Sequence, residues 1–183
     1  FTTYKYWFDQ LGGAPPTRNE VNLFVNTVAI VQARMRSTRF PGKVMKLANG
    51  RPLIEILLKR LSNSKAIDRI VLATSERKED DLLVQFVVEL GFDTYRGSET
   101  DVLDRYYKAA LKYQCDTVVR ITGDCPLVDP RLVDEIIYKY KSSGVDYACN
   151  VDPPTWPDGL DVEVFSFNAL DISWMQTKDR FSR

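Results

Sequence analysis

A dense group of cations stands in the segment VQARMRSTRFPGK, residues 31–43. Its chemically useful side chains are Arg34, Arg36, Ser37, Arg39 and Lys43. Guanidinium groups form forked hydrogen bonds with phosphate oxygens, and the ammonium group of a lysine adds a mobile point charge. These residue types suit a polyphosphate, and a nucleoside triphosphate is the expected ligand. Charge alone leaves a solvated loop as an equal alternative, with Arg36 as the cation most suited to solvent.

Two glycine-rich signatures of nucleotide binding are absent from this segment. It contains neither G-x-G-x-x-G nor G-x-x-x-x-G-K-[ST], the sequences that hold phosphates in dinucleotide-binding domains and in P-loop NTPases. A phosphate loop of another kind is therefore required.

Carboxylates form the second group of candidates. Asp124, in RITGDCPLVDP, follows a predicted strand and stands beside the flexible Gly123. Asp161 opens the alternating segment DVEVFSF and shares a face with Glu163. Because Mg²⁺ prefers one or two carboxylates together with waters and substrate phosphates, Asp124 and Asp161 are the predicted metal ligands. The alternative for Asp124 is an aspartate that caps its own turn, and Asp158 in the sequence P-D-G is expected to serve turn geometry.

The chain contains no histidine and three cysteines. The lack of histidine removes the most common general base, the Ser/His and Cys/His nucleophile pairs and most catalytic zinc sites. The cysteines are odd in number and have no zinc-like spacing, so free thiols are expected. Any catalysis must depend on carboxylates, cations and a metal.

Strand and helix patterns alternate along the chain. The predicted strands are TVAIVQ, RIVLATS, FDTYRG, TVVRI and DYACN, with helices between them. This alternation predicts an α/β fold with a mostly parallel sheet covered on both faces. DVEVFSF is predicted as a later strand at a sheet edge. We expect the helix after FDTYRG to begin at an N-cap Thr100, and the helices before FDTYRG and after TVVRI to end at Gly91 and Gly144.

The predicted scaffold gives the cationic segment a position. Ligands of open parallel sheets bind outside the carboxyl ends of the strands, and the segment from Ala33 to Lys43 follows the first predicted strand. It is also longer than the roughly 2–6 residues usual for such a connection. Position therefore favours a ligand site over a solvated loop. We call residues 33–43 the cationic loop.

Composition limits the remaining classes. A chain of 183 residues with 44% hydrophobic content suits one domain, expected over residues 25–183, after an N-terminal extension or linker over residues 1–24 that contains GGAPPT. The 25 basic residues equal the 25 acidic ones, which argues against a nucleic-acid or membrane-surface partner. No apolar run reaches the roughly 18 residues of a membrane span, so a cytoplasmic protein is expected. We also expect a truncated C-terminus and a fused N-terminal domain.

Four motifs together resemble one known family. AIVQARMRSTRFPGK, RGSETDVLDRYYKAA, RITGDCPLVDP and PDGLDVEVFS occur in this order, from Val28 to about Trp174. They are similar to the spore-coat polysaccharide biosynthesis family of cytidylyltransferase-like proteins, in the wider group of acylneuraminate and 3-deoxy-manno-octulosonate cytidylyltransferases. The resemblance implies a Rossmann-like three-layer α/β/α fold of the nucleotide-diphospho-sugar transferase type. It further implies CTP and Mg²⁺, a sugar acid joined to CMP with release of pyrophosphate, and a homodimer.

The resemblance also implies roles for individual residues. In the cationic loop, the triphosphate and base would be held by Ala33, Arg34, Ser37, Arg39 and Lys43. Thr122 and Asp124 fall at the base-reading and metal-binding strand end, and Asp161 matches the other metal ligand. Three residues depart from the sugar-acid enzymes, which usually have proline at Gln32, often glutamate at Cys125 and in some cases glutamine at Thr122. The choice of base and of sugar therefore stays open.

The resulting hypothesis is in-line attack of a sugar hydroxyl on the α-phosphorus of CTP, with Arg34, Lys43 and Asp124 as the catalytic residues. Positioning and electrostatics carry such a reaction, so it needs no histidine. Two alternatives remain: a metal-dependent glycosyltransferase that uses a nucleotide sugar, and a non-catalytic nucleotide-binding module of a fusion protein.

Overall fold

The structure, a computed structural model, describes residues 26–37 and 40–177. Within them lie eight strands and five α-helices. Their bounds are β1 Thr27–Gln32, β2 Leu47–Ala48, β3 Arg51–Pro52, α1 Leu53–Leu61, β4 Arg69–Ser75, α2 Asp81–Glu89, β5 Asp93–Gly97, α3 Val102–Lys112, β6 Thr117–Thr122, α4 Pro130–Ser143, β7 Tyr147–Cys149, β8 Glu163–Ser166 and α5 Phe167–Gln176. The predicted extension over residues 1–24 lies outside the described residues.

One six-stranded sheet organises the molecule, in the order β5-β4-β1-β6-β8-β7. The strands β5, β4, β1 and β6 are parallel to one another, and β8 runs antiparallel to both β6 and β7. The short strands β2 and β3 form a separate antiparallel pair. The prediction of a mostly parallel α/β sheet is confirmed.

The position predicted for DVEVFSF is wrong. Its strand is Glu163–Ser166, and it pairs with β6 on one side and β7 on the other, so that β7 takes the sheet edge. Val164 is fully buried in this strand. An alternating pattern is the same for an inner strand and for an edge strand with one solvent-exposed face, so the sequence did not distinguish the two positions. Asp161 therefore precedes the strand by two residues and does not open it.

The core has one layer on each face of the sheet. Alternating β1 residues divide between them: Ala29 and Val31 pack with apolar residues of α1, α2 and α4, whereas Val28 and Ile30 pack with residues of α3 and α5. Because successive strand residues point to opposite faces, this division gives three α/β/α layers.

Two predicted helix ends are confirmed and one helix start is wrong. Gly91 follows α2 and Gly144 caps α4, with φ of 86° and 68° that glycine adopts without strain. The N-cap of α3 is Asp101, whose carboxylate accepts a hydrogen bond from the Asp104 N–H at 2.8 Å. Thr100 is also a capping type, although it ranks below aspartate, and the backbone enters the helix one residue later. No helix in the described part of the chain has the length and apolarity to cross a membrane.

Candidate functional site

Four loops meet beyond the carboxyl ends of the parallel strands. They comprise, of the residues described, 33–37 and 40–42 after β1, 76–80 after β4, 98–101 after β5 and 123–129 after β6. Parallel strands end at the same edge of a sheet, so these loops surround one candidate site, where open α/β sheets bind ligands. Arg39 is a predicted site residue that lies outside the described residues.

A glycine brings the first and last of these loops into contact. The Gly123 N–H donates to the Gln32 carbonyl at 2.7 Å. A side chain at residue 123 would place its Cβ 2.6 Å from the Ala33 Cβ and 2.8 Å from that carbonyl oxygen, closer than real Cβ contacts. Glycine is therefore required here, and its close approach places the neighbouring Asp124 beside the cationic loop.

Lys43 and Asp124 meet in this position. The Lys43 Nζ donates to Asp124 Oδ2 at 2.5 Å, with the two side chains 28% and 47% exposed. This contact lowers the pKa of the Asp124 carboxyl from its ordinary value. The structure thus joins a predicted phosphate ligand to a predicted metal ligand that stands 81 residues away in the sequence.

Asp161 lies within electrostatic reach of Asp124. Partial burial raises the pKa of the Asp161 carboxyl, and the negative charges of Asp158, Glu163 and Asp124 raise it further. Among the residues that the structure describes, no three acidic, cysteine or histidine side chains group as a metal site. Mg²⁺ needs only one or two carboxylates, because waters and substrate phosphates fill its remaining positions, and the roles of Asp124 and Asp161 as its ligands stay predictions.

The other predicted residues of the cationic loop differ in position. Arg34 is exposed and donates from Nη1 to the Glu99 carbonyl at 3.3 Å, which joins it to the loop after β5. Arg36 is exposed, as expected for a solvent-facing cation. The Ser37 hydroxyl accepts from the Phe40 N–H at 3.4 Å, inside the loop's own turn.

Residues at the ends of β1 and β6 make mainly local contacts. The Thr122 hydroxyl lies 3.0 Å from Cys125 Sγ. Ala33 is 5% exposed, and its N–H donates to the Ala73 carbonyl at 3.3 Å. Gln32 Oε1 is buried without a hydrogen-bond partner in the described part of the chain. The ligand roles of Ala33 and Thr122 stay predictions.

Two acidic residues at the start of α3 have local partners. Asp101 caps α3, and Glu99 forms an ion pair with Arg77 at 2.7 Å. Asp158 lies in the expected turn, closed by the Leu160 N–H on the Pro157 carbonyl at 3.2 Å.

Sequence reasoning missed Asp80. This residue is 1% exposed, and its Oδ1 accepts from the Met35 N–H of the cationic loop at 2.7 Å. It stands in the acid-rich stretch ERKEDD before α2, where acidic residues are usual for a helix start. Nothing in the sequence separates Asp80 from its exposed neighbours, so only the structure shows that it is buried and bound to the cationic loop.

A solved structure defines the class of fold. The cytidylyltransferase from Leptospira borgpetersenii serovar Hardjo-bovis matches with a TM-score of 0.83 and 31% identity, over 87% of this chain and 68% of that chain. The architecture is therefore that of a nucleotidyltransferase of the nucleotide-diphospho-sugar type, with its candidate site at the carboxyl edge of the sheet.

The family follows from the sequence itself. The model of the cytidylyltransferase family matches residues 28–183, and the chain belongs to this family, which confirms the resemblance carried by the four motifs. The spore coat polysaccharide biosynthesis protein SpsF from Bacillus subtilis is 40% identical over 152 residues, which are 80% of this chain and 62% of SpsF. The 3-deoxy-manno-octulosonate cytidylyltransferase from Geobacter sulfurreducens is 34% identical over 116 residues, 62% of this chain and 44% of that enzyme. The chain thus spans less than two thirds of the length of these relatives.

Proposed function

We propose that the chain acts in a cytidylyltransferase that joins a sugar to CMP, with CTP as the donor and pyrophosphate as the second product. The proposed acceptor is an acidic sugar of eight or nine carbons, because the Geobacter relative is named for 3-deoxy-manno-octulosonate. Surface polysaccharide biosynthesis is the proposed setting, in line with the name of SpsF. A homodimer is also proposed.

The observation that carries this proposal is the contact between Lys43 and Asp124 at the carboxyl edge of the sheet. A cation suited to phosphate and a carboxylate suited to a metal meet where α/β sheets bind nucleotides. The location of the pair supports the proposal, because an ion pair of similar length and exposure, Arg69–Asp93, also forms away from this edge.

The proposed chemistry is a single in-line displacement. A sugar hydroxyl forms a bond to the α-phosphorus of CTP, while the bond from that phosphorus to the bridging oxygen of the β-phosphate breaks, and the hydroxyl proton passes to solvent. Arg34 and Lys43 bind phosphate oxygens and stabilise the negative charge on the departing pyrophosphate. Asp124 and Asp161 would hold Mg²⁺, which supplies charge neutralisation and orientation of the phosphates when bound.

The experiment is a screen for pyrophosphate release, with four nucleoside triphosphates against a panel of acidic sugars. We expect release that requires CTP, a sugar and Mg²⁺, and a loss of about 100-fold or more in Asp124→Asn, the scale of removing one electrostatic group from such a site. Hydrolysis of, or transfer from, a nucleotide sugar without pyrophosphate release would favour a glycosyltransferase instead.

Asp93 offers a matched control. It forms an ion pair with Arg69 at 2.5 Å and is 42% exposed, close to the values for Asp124. However, it begins β5 and therefore lies at the amino ends of the parallel strands, away from the candidate site. Asp93→Asn should keep wild-type activity. Equal rates for Asp124→Asn and Asp93→Asn would refute the role of Asp124.

A further inference from the structure

Asp80 connects the cationic loop to the sheet. Besides the Met35 N–H on Oδ1, its Oδ2 accepts from the Ser75 N–H at 3.1 Å and from the Ser75 hydroxyl. Ser75 ends β4 and is 1% exposed. A buried carboxylate is stable when such donors satisfy it, so Asp80 attaches one peptide of the loop to a rigid strand end.

The Met35 backbone in turn joins the two ends of the loop. Its carbonyl accepts from the Ser37 N–H at 3.1 Å and from the Gly42 N–H at 2.7 Å. Gly42 has φ of 68° and caps the 3-10 turn that begins at Lys43. Met35 therefore lies directly after Arg34, donates its N–H to Asp80, and accepts through its carbonyl from the residue directly before Lys43.

We propose that Asp80 is a positioning residue for polyphosphate binding: its buried carboxylate fixes the backbone of Met35 and thereby holds Arg34 and Lys43 at the spacing that phosphate oxygens require. This inference rests on the proposed function, because it takes a nucleoside triphosphate as the ligand. Asp80 contacts no substrate in this role and acts through the loop alone. Positioning of cations before the ligand arrives lowers the entropic cost of binding.

Asp134 provides a control with the same chemistry in another place. Its carboxylate accepts from the Ser64 hydroxyl at 2.5 Å, from the Lys65 N–H at 3.0 Å and from the Ala66 N–H at 3.1 Å. These donors lie in the connection from α1 to β4, at the amino end of β4. Loss of Asp134 removes a comparable loop attachment, but at the amino ends of the parallel strands and therefore away from the candidate site.

The first measurement is CTP affinity by titration calorimetry for the wild type, Asp80→Ala and Asp134→Ala, each corrected for its folded fraction from urea unfolding. We expect about tenfold weaker binding in Asp80→Ala, the scale of losing a hydrogen bond to a charged group. Asp134→Ala should stay within about twofold of the wild type. If Asp80→Ala does not fold, Asp80→Asn, which keeps the shape and one acceptor, should show an intermediate loss.

The second measurement needs no nucleotide. Hydrogen exchange of the Met35, Ser37 and Gly42 amides should be faster in Asp80→Ala and unchanged in Asp134→Ala. Equal CTP affinities for the two variants would overturn the positioning role, and unchanged exchange at Met35 would overturn the attachment itself. A wild-type chain that binds no triphosphate would instead overturn the proposed function, and faster exchange at Met35 would then still support the attachment.

Discussion

Replacement of Lys43 by methionine should change metal affinity and nucleotide affinity in opposite directions. In the structure, the Lys43 Nζ forms an ion pair with Asp124 Oδ2 at 2.5 Å. If Asp124 is a metal ligand, the lysine must leave it before a metal can bind, and the phosphates of a nucleotide offer the lysine a new partner. Methionine keeps the length and apolar volume of the lysine stem while it removes the charge.

The size of the effect follows from the exposure of the pair. Ion pairs between partly exposed side chains, here 28% and 47% exposed, contribute about 0.2–1 kcal/mol. Removal of the lysine should therefore strengthen binding of a divalent cation by up to about fivefold, since 1.4 kcal/mol corresponds to a factor of ten. Affinity for the nucleoside triphosphate should fall by about tenfold, because a charge-assisted hydrogen bond to phosphate is lost.

The assay is titration with Mn²⁺, followed by electron paramagnetic resonance in the absence of nucleotide, and separate titration with CTP. Lys59→Met is the control, because Lys59 pairs with Glu55 at 2.7 Å on α1 and has the same charge. It should leave both affinities unchanged. Unchanged or weaker Mn²⁺ binding in Lys43→Met would refute the competition between the lysine and the metal.

Three further predictions concern single residues. Gly123→Ala should lose about 1–3 kcal/mol of unfolding free energy, because the new Cβ would lie 2.6 Å from the Ala33 Cβ. An unfolding free energy from urea titration within about 0.5 kcal/mol of the wild type, a margin typical of neutral surface changes, would contradict this. Asp161→Asn should raise the Tm of the metal-free protein and weaken Mn²⁺ binding, since burial and neighbouring carboxylates disfavour its charge. A lower Tm with intact Mn²⁺ binding would count against both assignments. Burial raises the pKa of the Cys115 thiol from 9.0 to about 12, so the folded chain keeps a proton that the unfolded chain releases. The thiol's contribution to stability is full below pH 9 and falls toward pH 12 by about 1.4 kcal/mol per pH unit, and parallel stability curves for wild type and Cys115→Ala over this range would refute it.

The order of elements could be predicted because its signals are local. Apolar, β-branched runs such as TVAIVQ and RIVLATS indicate strands buried on both faces, and the helical spacing between them indicates covering layers. The cationic loop was predicted by the same reasoning, since a loop after the first strand must reach the carboxyl edge of a parallel sheet. The order of the strands in the sheet could not be predicted from local patterns, so the inner position of β8 was missed.

What the sequence determined by itself is the elements of the main sheet with the four helices between them, the charge of the loop after β1 and the family to which the four motifs belong; the β2–β3 pair and α5 were not predicted. Only the tertiary structure decided which charges face each other. Lys43 meets Asp124 because β1 and β6 are neighbours and Gly123 lets their loops touch, and Asp80 supports the Met35 peptide because β4 lies on the other side of β1. These contacts join residues 81 and 45 positions apart in the sequence. Pairing of strands in the sheet brings such distant residues together, and no local pattern of residues predicts which strands pair.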